Sequence, residues 1–224
     1  PKIKAVFLPY CETSTGVIND LAAIGQITSH YNVLLVVDAI TGLGVHPLYP
    51  EKWHLDVIIS SSQKALMLPP GLAFICLSPR AWEAAKRASL PKYYFDLIKA
   101  QNALKEYQTP FTPAISLIRA LDTSLQLIKK QGIETIWQHQ ARLAGSCRCA
   151  IQALNLEIFS AVPSNVLTAV KVPPNLKAEE IIKLMYQEAG IIIANGQQHL
   201  KGKIIRISHI GYNDEFDVIT TIAA

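Results

Sequence analysis

The sequence predicts an α/β protein, with a mainly parallel sheet in its first half and a smaller α+β unit in its second. Three observations carry this. Short aliphatic runs alternate with helix-patterned stretches up to about residue 89. The run Val33-Leu34-Leu35-Val36-Val37 is apolar at every position, as in a parallel strand covered by helices on both faces. From about residue 114 long helical periodicity takes over, and further apolar runs follow it.

Taken in order, residues 4–8, 33–38, 56–60 and 72–77 read as strands, each ending near turn-forming or polar residues. Residues 18–31 supply the amphipathic crossover helix. Ser78-Pro79 is a helix-start signal, and a helix follows over 79–89. Residues 90–113 are rich in aromatics and prolines without a clear period, which predicts an irregular loop crossing a surface. Helical spacing returns over 114–154, with Gly132 dividing two helices. A strand at 165–172, a helix at 178–189, a strand at 203–208 and a terminal helix opening at Asn213-Asp214 complete the second unit. The division falls at 1–112 and 113–224, and no internal repeat is visible.

A chain of 224 residues, 50% hydrophobic, has enough apolar surface for one large or two small cores. Its longest aliphatic stretch, 33–37, is far short of the ~20 residues of a membrane helix. The first residues also lack a basic segment followed by an apolar one, so a cytoplasmic protein without membrane association is expected. The cysteines, Cys11, Cys76, Cys147 and Cys149, form no CxxC pair and read as reduced thiols rather than metal ligands. A net charge of +4 with no long run of Lys or Arg gives no reason to expect a nucleic-acid partner.

Three charged residues stand beside or within apolar runs. Asp38 ends one strand, Lys64 follows another in Ser60-Ser61-Ser62-Gln63-Lys64, and Arg206 lies inside Ile204-Ile205-Arg206-Ile207. The carboxyl ends of parallel strands share one edge, where ligands bind, so Asp38 and Lys64 are expected to converge there. An acid and a lysine at such an edge suit an aldehyde cofactor. The amine forms a Schiff base, and the carboxylate keeps a pyridine nitrogen protonated. Taken singly, Asp38 reads equally as a turn residue and Lys64 as a solvated side chain. Arg206 is harder to dismiss, because a charge in an apolar strand requires a partner.

The wider motifs resolve this. Glu12-Thr13-Ser14-Thr15-Gly16, Asp38-Ala39-Ile40-Thr41-Gly42, Ser62-Gln63-Lys64-Ala65-Leu66 and Pro69-Pro70-Gly71, with Arg206-Ile207-Ser208-His209-Ile210-Gly211 near the end, resemble the class V aminotransferases in order and spacing. Within that family they are most similar to the alanine–glyoxylate and serine–pyruvate branch. The resemblance implies fold type I, with part of the large cofactor-binding domain followed by the small C-terminal domain. It implies pyridoxal 5'-phosphate as cofactor, a small amino acid and a 2-oxo acid as substrates, and a homodimer.

By matched position, the resemblance makes Lys64 the Schiff-base lysine and proton carrier, and Asp38 the pyridine partner. It makes Thr13 the hydrogen-bond partner of the cofactor phenolic oxygen, Ile40 the aliphatic residue on the ring face, and Gln63 a phosphate contact. Arg206 becomes the clamp for the substrate carboxylate. Thr109, in Tyr107-Gln108-Thr109-Pro110-Phe111-Thr112, resembles the loop residue reaching a neighbouring subunit's phosphate, with Tyr107 and Thr112 as alternatives and a proline-stabilised turn as the plain reading. Ser61 stands where the family usually has glycine, and Tyr10-Cys11 where it usually has a His-containing pair. The family's glycine-rich phosphate loop and ring-stacking aromatic are expected ahead of residue 1, which implies a truncated chain, inactive by itself.

Two other functions remain in view. A cysteine desulfurase shares the Schiff-base lysine, but it usually carries His where Gln63 stands and a nucleophilic Cys on a mobile loop. Cys147 and Cys149 fall instead in a predicted helix. A non-catalytic subunit of a hydrogenase-associated complex is the other. Nickel–iron chemistry needs clustered thiolates, which Cys147-Arg148-Cys149 cannot supply alone.

Overall fold

The computed structural model describes residues 3–224. The elements in chain order are β1 (Ala5–Pro9), β2 (Cys11–Glu12), β3 (Val17–Ile18), α1 (Leu21–His30), β4 (Leu34–Asp38), β5 (Val57–Ser61) and β6 (Ala73–Leu77). They continue with α2 (Pro79–Arg87), α3 (Leu97–Lys105), α4 (Ile115–Gln131), α5 (Ile133–Ala153), β7 (Leu167–Lys171) and α6 (Ala178–Ala189). The chain ends with β8 (Ala194–Asn195), a 3-10 turn (Gln198–Leu200), β9 (Ile204–Ser208) and α7 (Glu215–Ala223).

The first sheet has the order β1-β4-β5-β6. Its β1–β4 and β4–β5 pairs are parallel and its β5–β6 pair antiparallel. Register assigns the faces. Leu35, Val37 and Ile58 point toward α1 and form a core with Leu21, Tyr10 and Leu55. Phe7, Val36 and Val57 point the other way, as do Pro9, Asp38 and Ile59. On this second face Val36 is buried, while Phe7 remains 75% and Ile75 45% exposed. The expected cover of both faces is therefore incomplete at the two edge strands of this one.

The opposite end of the sheet is pinned by Asp56, 4% exposed. Its Oδ2 accepts from the Leu35 N–H at 3.0 Å and from Arg80 Nη2 at 2.9 Å, while Oδ1 accepts from the Ser78 hydroxyl at 2.7 Å. Ser78 also caps α2, so a single buried carboxylate fixes strand, strand and helix together.

The second sheet, β7-β9-β8, is antiparallel. Its core joins Val170, Ile205 and Ile207 to Leu143, Cys147 and Ile151 of α5 and to Val218 of α7. Gly132 separates α4 from α5 as expected, at a φ of +86° that a side chain rarely adopts. Helix α7 opens with a capping box between Asp214 and Asp217.

Two local expectations need correction, and one short strand has no expectation attached to it. Residues 90–113 hold a two-turn helix, α3, started by the Asp96 carboxylate accepting from the Ile98 and Lys99 N–H groups. Leu97, Ile98 and Ala103 are half-buried and Leu104 is 70% exposed, and nine residues flanked by aromatic- and proline-rich segments hold too few turns for the period to stand out. The crossover helix begins at Leu21 because Asn19-Asp20 supplies the cap, and Ile18 belongs instead to the β2–β3 hairpin. Strand β8 is only two residues long, too short to leave a sequence period.

Candidate active site

Asp38 is the last residue of β4. Its Oδ1 accepts from the Ile40 N–H at 2.9 Å, forming an Asx turn, and its second oxygen has no protein partner among the described residues. The turn role and the site role are thus compatible, because each uses a different oxygen. Ile40, inside this turn, is half-buried.

Lys64 follows the neighbouring strand β5 in a loop fixed by Ser62, which is fully buried. The Ser62 hydroxyl donates to the Pro69 carbonyl at 2.7 Å and accepts from the Leu72 N–H at 3.2 Å. Its backbone N–H donates to Leu72 O and its carbonyl accepts from Leu68 N. From α4, the Ser124 hydroxyl donates to Leu66 O at 2.6 Å. The lysine side chain is half-buried, and its amine makes no hydrogen bond or ion pair among the described residues. Gln63, beside it, is exposed and also makes no side-chain hydrogen bond.

Thr13 follows β2 in a turn where Glu12 Oε1 accepts from the Ser14 N–H at 2.8 Å and the Ser14 hydroxyl at 2.7 Å. The Thr13 hydroxyl lies 2.8 Å from that of Thr41, three residues past Asp38. The Thr13 carbonyl accepts from Arg206 Nη1 at 2.8 Å, and Arg206 Nε donates to Asn195 O at 2.9 Å. No carboxylate pairs with Arg206 among the described residues, and Nη2 is left without a protein partner. Burial pulls the Arg206 pKa below its ordinary value.

Further ties close the two sheets over this region. The Cys11 thiol donates to the Ser164 hydroxyl at 3.2 Å, the Ser164 N–H to Gly16 O at 2.8 Å, and the Ser160 hydroxyl to Thr15 O. Burial pushes the Cys11 thiol up, while the Ser164 hydrogen bond and the Lys64 charge pull the other way, so Lys64 lies within electrostatic reach of this joint. The Asn165 N–H donates to His46 Nε2 at 2.9 Å.

The structure therefore gathers Thr13, Asp38, Ile40 and Lys64 at the carboxyl ends of adjacent strands, with Gln63 beside Lys64 and Arg206 joined to Thr13. Thr109 stands apart. It is exposed, and its hydroxyl donates to Phe111 O at 2.6 Å within its own loop. Thr41 and Asn195 were not singled out from sequence. A threonine three residues past a strand-end acid was the one available signal for Thr41, and Asn195 had none.

A strand-end carboxylate, a lysine after the next strand and an arginine without a carboxylate partner among the described residues thus lie on this side of the fold. The class-V aminotransferase family model matches residues 1–220, and the chain belongs to that family, whose enzymes depend on pyridoxal phosphate. It is 45% identical over 99% of its length to the "Soluble hydrogenase, small subunit" of Synechococcus sp. (strain PCC 6716), covering 58% of that protein. It is 35% identical over 99% of its length to a serine–glyoxylate aminotransferase of Arabidopsis thaliana, covering 57% of it. Its fold matches the crystal structure of pyridoxamine–pyruvate aminotransferase from Mesorhizobium loti with a TM-score of 0.94, at 28% identity, over 99% of this chain and 59% of that one. The chain thus spans a little under three-fifths of the length of these relatives.

Proposed function

We propose that this chain carries the lysine-bearing part of a pyridoxal-phosphate-dependent aminotransferase site. The activity moves an amino group from a small amino acid, alanine or serine, to a 2-oxo acid, glyoxylate or pyruvate. The observation that carries the reading is the placement of Lys64, whose amine has no partner among the described residues, in the loop after β5, and of Asp38, with one uncommitted oxygen, at the end of the adjacent β4.

The donor set fits the cofactor at its aldehyde and pyridine ends. Lys64 supplies an amine with no competing partner among the described residues, Asp38 an acceptor for a protonated ring nitrogen, Thr13 a hydroxyl for the phenolic oxygen, and Ile40 an aliphatic surface. At the phosphate end this chain offers Gln63, and Thr109 from a partner subunit. Held by so few contacts, the 224-residue chain by itself is expected to bind the cofactor weakly and to turn over little substrate.

Pyridoxal phosphate, when bound, supplies an electron-accepting ring that stabilises negative charge at the substrate α-carbon. Asp38 keeps the proton on the pyridine nitrogen by offering a charge-assisted acceptor. With the cofactor present, the Lys64 amine would take the proton from the substrate α-carbon as general base. Arg206 binds the substrate carboxylate and so orients the α-carbon hydrogen toward Lys64.

Homodimer formation belongs to the same proposal, as does the division into units at 112 and 113. Tyr93, Tyr94, Phe95 and Tyr107 are 65–97% exposed around α3, a concentration of aromatic surface that suits a subunit interface. The desulfurase alternative is weakened by Cys147, buried in α5, and Cys149, on the outside of the same helix. The hydrogenase names belong to the relatives that carry them. In this chain the cysteines are dispersed, and no group of three or more metal-binding side chains occurs among the described residues. The deciding experiment is an alanine–glyoxylate and serine–pyruvate assay on the full-length holoenzyme. Lack of any transfer with α-amino acids, alongside sulfide release from cysteine, would reject the proposal.

A further inference from the structure

Arg206 is held by backbone oxygens from two different parts of the chain. Nη1 is tied to Thr13 O and Nε to Asn195 O, which leaves Nη2 for a ligand. The second anchor is the less secure by construction. Asn195 closes β8, a strand of two residues whose ladder is limited to Ala194 opposite Arg206 and Asn195 opposite Ile205.

The Asn195 side chain supplies what the short ladder lacks. Its Oδ1 accepts from the Gly202 N–H at 2.9 Å, and its Nδ2 donates to Glu179 Oε1 of α6 at 2.9 Å. Gly202 holds a φ of +78°, in the left-handed region, so that its N–H can turn back to the asparagine. Gly196, next in the chain, passes so close to Leu200 that a Cβ there would stand 2.0 Å from the Leu200 carbonyl oxygen. The 196–202 loop is thereby folded tightly over Asn195. Both functional groups of one amide are spent on fixing the residue whose carbonyl aims the arginine.

We propose that Asn195 is a positioning residue for substrate recognition: through Gly202 and Glu179 it fixes the carbonyl that holds Arg206 in place for the α-carboxylate of the amino-acid substrate. The inference rests on reading Arg206 as the carboxylate clamp. Without the Asn195 side chain, the carbonyl loses its two flanking anchors and the guanidinium gains rotational freedom that must be surrendered on each binding event. The loss falls on substrates bearing a carboxylate and spares amines that lack one.

The test uses the full-length holoenzyme. Asn195→Ala is expected to raise KM for the amino-acid donor about tenfold with little change in kcat. The slow half-reaction with a simple alkylamine, which has no carboxylate to bind, should be unchanged. Glu179→Gln keeps an oxygen acceptor for Nδ2 and should behave as wild type. A second readout needs no substrate: the Arg206 Nε–H resonance, assigned by loss in Arg206→Lys, should be protected from exchange in wild type and exchange faster in Asn195→Ala. Unchanged KM, or equal losses for the amino acid and the alkylamine, would overturn the proposal. If Arg206→Ala itself leaves KM unaltered, the clamp reading fails and the recognition role of Asn195 with it. The Nε–H exchange would then still report whether Asn195 holds the guanidinium.

Discussion

Arg206 and Thr13 are separated by 193 positions in the chain and by 2.8 Å in the fold. The bond runs from a guanidinium in the second sheet to a carbonyl beside the first, so the arginine is placed by the same residue whose hydroxyl meets Thr41 near Asp38. Removing the arginine should therefore damage substrate binding and spare cofactor binding. Arg206→Ala in the full-length enzyme is expected to weaken amino-acid binding by on the order of 1.5 to 3 kcal/mol, the worth of a hydrogen bond to a charged group. Pyridoxal-phosphate content per subunit, read by absorbance, should stay near wild type. Loss of both together would mean that the residue organises the whole region instead.

Lys64 is the lysine that the Ser62-anchored loop presents, half-buried and without a hydrogen-bond or ion-pair partner among the described residues. Borohydride reduction of the holoenzyme should fix the cofactor to this residue, and peptide mapping should find the label there. Lys64→Ala should show no label and at least a hundredfold less turnover, within the range ascribed to a lost general base. A label found on Lys86 or Lys203 would refute the assignment.

Much of this was legible in the sequence, and what was not has physical reasons. Strand ends such as Asp38 and the loop after β5 are marked by apolar runs meeting polar residues, so the edge of the sheet could be read directly. The Arg206–Thr13 bond could not. It joins residues 193 positions apart, and no local period records that. Helix α3 is hidden because its nine residues give barely two turns of period between aromatic- and proline-rich flanks that read as loop. The open face of the first sheet was concealed for the opposite reason: residues 33–37 are apolar on both sides whether or not a helix covers them.

Asp38→Asn tests the electrostatic role. The amide can keep the Ile40 turn through its oxygen, so the fold and the lysine linkage should survive. It cannot stabilise a positive charge on the ring nitrogen, and turnover should fall by at least a hundredfold. Rapid-mixing measurement of the first half-reaction separates this from a binding defect. A near-normal rate there would end the proposed pairing.

Acid stability should be governed in part by His46 and His209. Burial pushes both from an ordinary value of 6.5 down to about 4. His46 Nε2 accepts from the Asn165 N–H, and His209 is placed between Asn165 O and the Thr168 hydroxyl. Both rings are therefore neutral in the fold and bind protons more readily when unfolded. Their contribution is complete above pH 6.5 and is lost as the pH falls from there toward 4, each worth up to about 3 kcal/mol. Thermal midpoints measured across that window should drop steeply in wild type and less steeply in His46→Gln. Parallel slopes for the two proteins would show that the ring does not titrate on unfolding.

The open face of the first sheet gives the last prediction. Phe7 on the edge strand β1 and Ile75 on β6 lie on the side that Asp38 also faces, 75% and 45% exposed. Apolar surface of this kind, continued by an unpaired strand edge at β1, is a template for association. The 224-residue chain studied by itself is expected to self-associate with rising concentration, whatever the state of its cofactor site. Sedimentation velocity on Phe7→Ser/Ile75→Thr should show a shift toward the monomer, because each change replaces exposed hydrocarbon with a hydroxyl at a position where packing is not lost. Circular dichroism should be unaltered, since the α1-side core of Leu35, Val37 and Ile58 is untouched. A wild-type chain that stays monomeric over the whole range would show that this face is inert. Association unchanged by the double substitution would instead assign it to the aromatic surface around α3, where Tyr94→Ser is the corresponding probe.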